Sequence, residues 1–217
     1  MRGLIKKDCY VMKDFKKVLL LMIFMVVFFL AMETTNVSFV LGYMTILSGI
    51  LVINVMGIDD QQNVNAFLFT LPVSRKEYIV EKYGFGMVMG MIGCGISVAC
   101  VILFSIIKQM PINWAVLLGQ VVCIIGVLFV ILGFGIPVQI KFGGEKGRII
   151  LIVGVMGICF GMVGIAKIMR QFHTEWIEKI GQILNQEWIW IVAVIVVLAF
   201  FIASFFYSVH LMKKKEY

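Results

Sequence analysis

Long apolar runs separated by short polar stretches set the character of this chain. They cover about 18–32, 39–58, 83–107, 115–137, 149–166 and 188–210. Each approaches or exceeds the roughly 20 residues a helix needs to cross about 30 Å of hydrocarbon. The pattern predicts an all-α polytopic membrane protein, a single transmembrane domain over 1–217 with six transmembrane helices. Before the first run, Ile5, Cys9, Met12 and Phe15 form an apolar stripe, which predicts an N-terminal interfacial helix over 1–17 in the headgroup layer. A basic start before an apolar run is also how a signal peptide begins, but no A-x-A-like cleavage site follows, so a retained first span is expected. Between the fifth and sixth runs, Met169, Phe172, Trp176, Ile180 and Ile183 recur every three or four residues. That spacing predicts an amphipathic helix within 167–187, its apolar side resting on the membrane or covering the end of the bundle.

The polar stretch 59–82 has the densest local grammar. Asp59 and Asp60 suit a helix N-terminus, where carboxylates cap free N–H groups and meet the positive end of the dipole. Val64, Phe67 and Leu68 then follow at i, i+3 and i+4 on one face. Pro72 disfavours helix at Leu71 and should end this short segment. Ser74 opens a second helix with Glu77 three residues on, the reciprocal halves of a capping box. That helix carries Arg75, Lys76, Glu81 and Lys82 directly into the apolar run from Tyr83. A short amphipathic helix, a turn and a charged restart make a docking surface; taken alone, the same signals also suit a plain connector.

Composition agrees with the pattern. The chain is 62% hydrophobic and 14% charged, with a mean hydropathy of +1.05, far from the ~25% charged residues of soluble domains. The net charge of +7 has a topological meaning. Fifteen basic residues lie on the termini and the even-numbered loops: Arg2, Lys6, Lys7, Lys13, Lys16, Lys17, Arg75, Lys76, Lys82, Lys141, Lys146, Arg148, Lys213, Lys214 and Lys215. Four, namely Lys108, Lys167, Arg170 and Lys179, lie on the other side. The positive-inside rule makes the first face cytoplasmic, with both termini there. The basic charge then serves topology and anionic lipid rather than nucleic acid.

Small residues mark helix packing. G-x-x-x-G occurs at Gly86–Gly90 and at Gly157–Gly161, where backbones can approach closely in lipid. Packing within the bundle is the expected use, and a dimer interface the sharper alternative. Pro137, after Gly133 and Gly135, is expected to kink or end the fourth span, with a functional hinge as the alternative. The five cysteines lack metal-ligand spacing and read as buried thiols. His173 and His210 stand alone, and no metal or cofactor is implied. No G-x-x-x-x-G-K-[ST] phosphate loop, H-E-x-x-H or G-x-S-x-G occurs, so no enzymatic activity is expected. The span centres carry no Asp, Glu, Lys or Arg, which argues against an ion-driven carrier.

The phrase Leu71-Pro72-Val73-Ser74-Arg75-Lys76-Glu77-Tyr78, with its upstream Asp pair and Lys82-Tyr83 downstream, resembles the permease subunits of ABC type-2 transporters (ATP-binding-cassette exporters). The loop Lys141-Phe142-Gly143-Gly144-Glu145-Lys146-Gly147-Arg148 is similar to the second cytosolic loop of that family. The resemblance implies a membrane-spanning subunit energised by separate ABC ATPase subunits and paired with a second permease copy or paralogue. Peptides, antibiotics or amphiphiles are the implied export substrates. It also implies ATPase contact through a short cytosolic coupling helix and the loop after it, at Asp59, Asp60, Asn63, Val64, Phe67, Leu68, Ser74 and Arg75. The second cytosolic loop would add Lys141, Gly143, Glu145 and Arg148. The expected setting is a bacterial cell membrane. A non-transport immunity or sensor subunit using the same loops is the competing class.

Overall fold

The computed structural model describes residues 2–31, 37–61, 74–109, 111, 113–154, 156–157 and 187–214. Among these residues there are seven helices and no strand. They are α1 (Arg2–Asp14), α2 (Lys16–Ala31), α3 (Val37–Gln61), α4 (Arg75–Ile107), α5 (Trp114–Phe142), α6 (residues 144–154) and α7 (Glu187–Lys214). Four are long and apolar enough to cross a membrane: α3, α4, α5 and the Val192–Lys214 part of α7. They correspond to the second, third, fourth and sixth expected spans. The first and fifth, 18–32 and 149–166, run into residues outside the described set, as does most of 167–187.

α3 is the central helix, packed on α2, α4 and α5, while α7 lies against α5 and α4. Its inward residues Val40, Leu41, Met44 and Val52 are fully or almost fully buried. Large apolar side chains elsewhere face outward, Phe24 on α2, Ile107 on α4, Val122 on α5 and Phe206 on α7 among them. Helices apolar on all sides need a hydrocarbon surround rather than water.

Glycine sets the closest helix approach. Leu128 of α5 is fully buried and wedges between two glycines. A Cβ at Gly49 of α3 would stand 2.6 Å from its Cδ1, and one at Gly90 of α4 would overlap its Cδ2. Leu132 meets Gly86 in the same way one turn along, with a Cβ there reaching its Cδ2 at 2.9 Å. Gly86 and Gly90 therefore pack inside the bundle. Gly157 has open space around it, and Gly161 lies outside the described residues.

Two local expectations are corrected. Pro137, expected to kink or end the fourth span, does not end it: α5 continues through it to Phe142. A residue at 137 would normally donate to the Gly133 carbonyl, and proline cannot. Ser204 of α7 supplies the missing donor, its Oγ–H bonding the Gly133 carbonyl. That hydroxyl has only one proton to give, so it accepts from Tyr83 Oη at 2.7 Å. Ser208, 2.9 Å from the same phenol, then donates to the Tyr83 oxygen. On α1, Leu4, Asp8 and Met12 are buried against the bundle, while Ile5 and Cys9 of the expected stripe are exposed on its outer side. The inward aspartate at position 8 has its partner in the bundle. Finally, the four described thiols are free but not uniformly buried, and Cys159 lies outside the described residues. Cys94 is buried, Cys100 half-buried, and Cys9 and Cys123 exposed.

Candidate functional site

One end of the bundle gathers most of the charge. Here α1 meets the C-terminal end of α3 and the N-terminal end of α4, and the C-terminal ends of α5 and α7 lie at the same level. The start of α4 is built as the sequence predicts. Ser74 Oγ accepts from the Glu77 N–H at 3.2 Å, and the Glu77 carboxylate accepts from the Ser74 N–H at 3.0 Å. With its start fixed, α4 runs unbroken for 33 residues, roughly 50 Å at 1.5 Å per residue. That exceeds a hydrocarbon core of about 30 Å, which leaves room for its charged first turns outside.

Those turns carry Glu81 and Lys82 inward. Lys82 is 0% exposed. Its ammonium bonds Asp8 of α1, lies 3.3 Å from Asp59 Oδ2 of α3, and lies 3.7 Å from Glu81 Oε2. Tyr78 offers its ring face 5.2 Å from the same nitrogen. Lys7 completes the group, 2.5 Å from Asp59 Oδ2 and 3.2 Å from Asp8 Oδ1. Two ammonium groups and three carboxylates thus tie α1, α3 and α4 together in a buried cluster. Removing one partner of such a set costs far more than a surface ion pair is worth.

Two further ties complete this end. Gly144 N–H donates to Asp60 Oδ2 at 3.0 Å, so the last turn of α3 places a carboxylate on the N-terminus of α6. The chain can turn there because Gly143 adopts φ 74, a region open to glycine, and because any Cβ at Gly143 would strike that carboxylate. Gln139 holds the turn from the other side, its Nε2 donating to the Gly144 carbonyl at 3.1 Å. Arg75 donates to the Met212 and Lys213 carbonyls at 3.2 and 2.9 Å. This places a cation on the C-terminal end of α7, where the helix dipole favours one.

The sequence-predicted residues therefore fall in three groups. Asp60 and Gly143, from two different loops, come together. Asp59 and Arg75 turn toward neighbouring helices. Lys141, Glu145 and Arg148 are exposed around the α5–α6 turn, as is Ser74 at the start of α4. Asn63, Val64, Phe67 and Leu68 lie outside the described residues. The capping role of the Asp pair is corrected. Asp59 and Asp60 lie within the last described turn of α3, not ahead of a helix start, and Asp60 caps α6, 84 residues away. Asp8, Glu81 and Lys82 were missed as a site, since pairs separated by 74 residues leave no local spacing to read.

Beside the α5–α6 turn, a cavity of about 140 Å³ is lined by Asn54, Gly57, Gln139, Gly144 and Arg148 among others. Among the described residues no group of three or more His, Cys, Asp or Glu is placed to hold a metal ion.

The family model described as ABC-2 family transporter protein matches residues 3–213. The chain belongs to the ABC-2 transporter membrane family. No curated relative and no solved structure gives a significant match. For an ABC-2 membrane protein, the charged end is where the two loop phrases that resembled the family meet, through Asp60 and Gly144. The multi-pass, all-helical build is that of the family's membrane component, which is a permease and not generally an enzyme.

Proposed function

We propose that this ABC-2 membrane protein is the permease subunit of an ATP-driven exporter. It has six spans and both termini in the cytoplasm, and it works with separate ABC ATPase subunits and a second permease copy or paralogue. The charged end faces the cytoplasm, and the segment after α3 docks on the ATPase through Asn63, Val64, Phe67 and Leu68. The observation that carries this reading is the bond from Gly144 to Asp60. It makes the root of the docking segment continuous with the second loop. A load on that segment reaches α6 through Asp60, and reaches α4 and α1 through Asp59, Lys82 and Lys7. One displaced turn would then move helices on both sides of the bundle, as transmission of ATPase closure requires. Peptides, antibiotics or amphiphiles are the substrate classes such a pathway serves.

Reconstitution tests the reading. The purified subunit should hydrolyse no ATP, lacking a phosphate loop. Combined with its cognate ATPase in vesicles, it should move substrate only when nucleotide is present. Transport by the subunit alone on an ion gradient would replace this reading with a carrier. A complex that responds to substrate without moving it would replace it with a sensor.

A further inference from the structure

The charge in the buried cluster does not balance. Lys7 and Lys82 supply two positive groups, while Asp8, Asp59 and Glu81 supply three acidic ones. Asp8 and Lys82 are 0% exposed and Glu81 is 5% exposed, so water cannot absorb the excess. Among the described residues both carboxyl oxygens of Glu81 lack a hydrogen bond, the nearest cation being Lys82 at 3.7 Å from Oε2, while Asp8 Oδ1 keeps only its ion pair with Lys7 at 3.2 Å. Both carboxyl groups thus gather around the Lys82 ammonium, which bonds Asp8. An ionised buried carboxylate without donors is costly, and two neighbouring carboxylates do not both ionise readily. A single proton on Glu81 removes the excess charge and supplies the absent donor.

We propose that Glu81 is a proton-binding site that locks α1 onto α4. With the proton held, the Glu81 carboxyl donates to Asp8 and the cluster is neutral. Without it, two anions repel across the α1–α4 contact and the N-terminal helix is pushed from the bundle. The charged groups acting on Glu81 are Lys7 and Asp8 from α1 and Lys82 on its own helix, with Asp59 of α3 bonded to the same Lys82. Both cations are already engaged, Lys82 by Asp8 and Asp59, and Lys7 by Asp59 and Asp8. Neither is free to serve Glu81 alone. The ligand is a proton rather than a metal ion, since the described carboxylates form no metal-ligand set. The site stands independently of what the permease carries.

The test uses the full chain in detergent or nanodiscs. The folded state would hold a proton that the unfolded chain releases, so stability should fall as pH rises from about 5 to about 7 and level off above that. One proton limits the slope to about tenfold in the folding equilibrium per pH unit. Glu81→Gln keeps the shape and donates permanently, so it should remove this slope and be at least as stable as the parent at pH 8. Asp8→Asn removes the imbalance from the other side and should also flatten the slope, even if its overall stability is lower. Infrared difference spectra should show a protonated carboxyl band at neutral pH in the parent that is absent from both variants. Disulfide cross-linking between single cysteines placed on the facing turns of α1 and α4 should fall as pH rises, and should not do so with Glu81→Gln added. A parent whose stability is flat across this range, or a protonated band that persists in Glu81→Gln and Asp8→Asn alike, overturns the proposal. So does Glu81→Gln losing stability at every pH, which would mean the carboxylate serves as an anion.

Discussion

Replacing Lys82 with methionine probes the attachment of α1 to the bundle. The side chain is 0% exposed, and its ammonium faces Asp8, Asp59 and Glu81. Methionine keeps most of the apolar stem but removes the charge and every donor. Lys7 alone would then face three carboxyl groups. Breaking a buried ion pair from one side costs about 3–5 kcal/mol, because the surviving charge stays in a poorly solvating site. Lys7→Met is the control. That side chain is 24% exposed, so water can replace part of its contacts and its loss should cost less than that of Lys82. Denaturant or thermal unfolding of the detergent-solubilised chain should therefore rank Lys82→Met below Lys7→Met and the parent. A cysteine pair joining α1 to α4 should also cross-link less well in the Lys82 variant. The reasoning is refuted if Lys82→Met costs less than about 1 kcal/mol, or if Lys7→Met costs as much as Lys82→Met.

Three other perturbations read separate parts of the fold. Gly90→Ala should destabilise by about 1–3 kcal/mol, since its Cβ would overlap Leu128, and adding Leu128→Ala should recover part of that loss; absence of any rescue in the unfolding curves would disprove the wedge. Ser204→Ala leaves the Gly133 carbonyl without its donor and should cost about 1–3 kcal/mol, whereas restoring a regular helix by Pro137→Ala in the same chain should recover stability. In a cysteine-free background, Ser74→Cys and Gly144→Cys should resist impermeant thiol reagent in intact cells while Thr174→Cys reacts; labelling of position 74 from outside would reverse the orientation.

What the sequence disclosed, and what it did not, follows the range of the interactions. The long apolar runs predicted four helices now seen as candidate spans, because a helix satisfies its own backbone and its signal is local. The Ser74–Glu77 box was equally legible, both halves lying within four residues. Pro137 misled because the donor that lets α5 continue sits on Ser204, in another helix. The Asp59–Asp60 pair announced a helix N-terminus, and Asp60 meets one at α6, far along the chain. The same limit hid the cluster at Lys82. Lysine and glutamate at the edge of a span read as a solvated boundary until α1 is placed across them, and the orientation of α1 that buries Asp8 depends on that contact.

The central claim is that the segment following α3 couples the bundle to an ATPase. Its most direct test is a Phe67→Ala, Leu68→Ala double substitution, assayed for the thermal stability of the lone subunit, ATPase copurification and nucleotide-dependent transport. Burying Phe and Leu fully contributes about 1.5–3 kcal/mol each, enough to control assembly with a partner. The account predicts that the lone subunit is as stable as the parent, while copurification weakens or the assembled complex no longer transports. A double mutant that is as stable, as well assembled and as active as the parent would reduce the segment to a connector and contradict the claim.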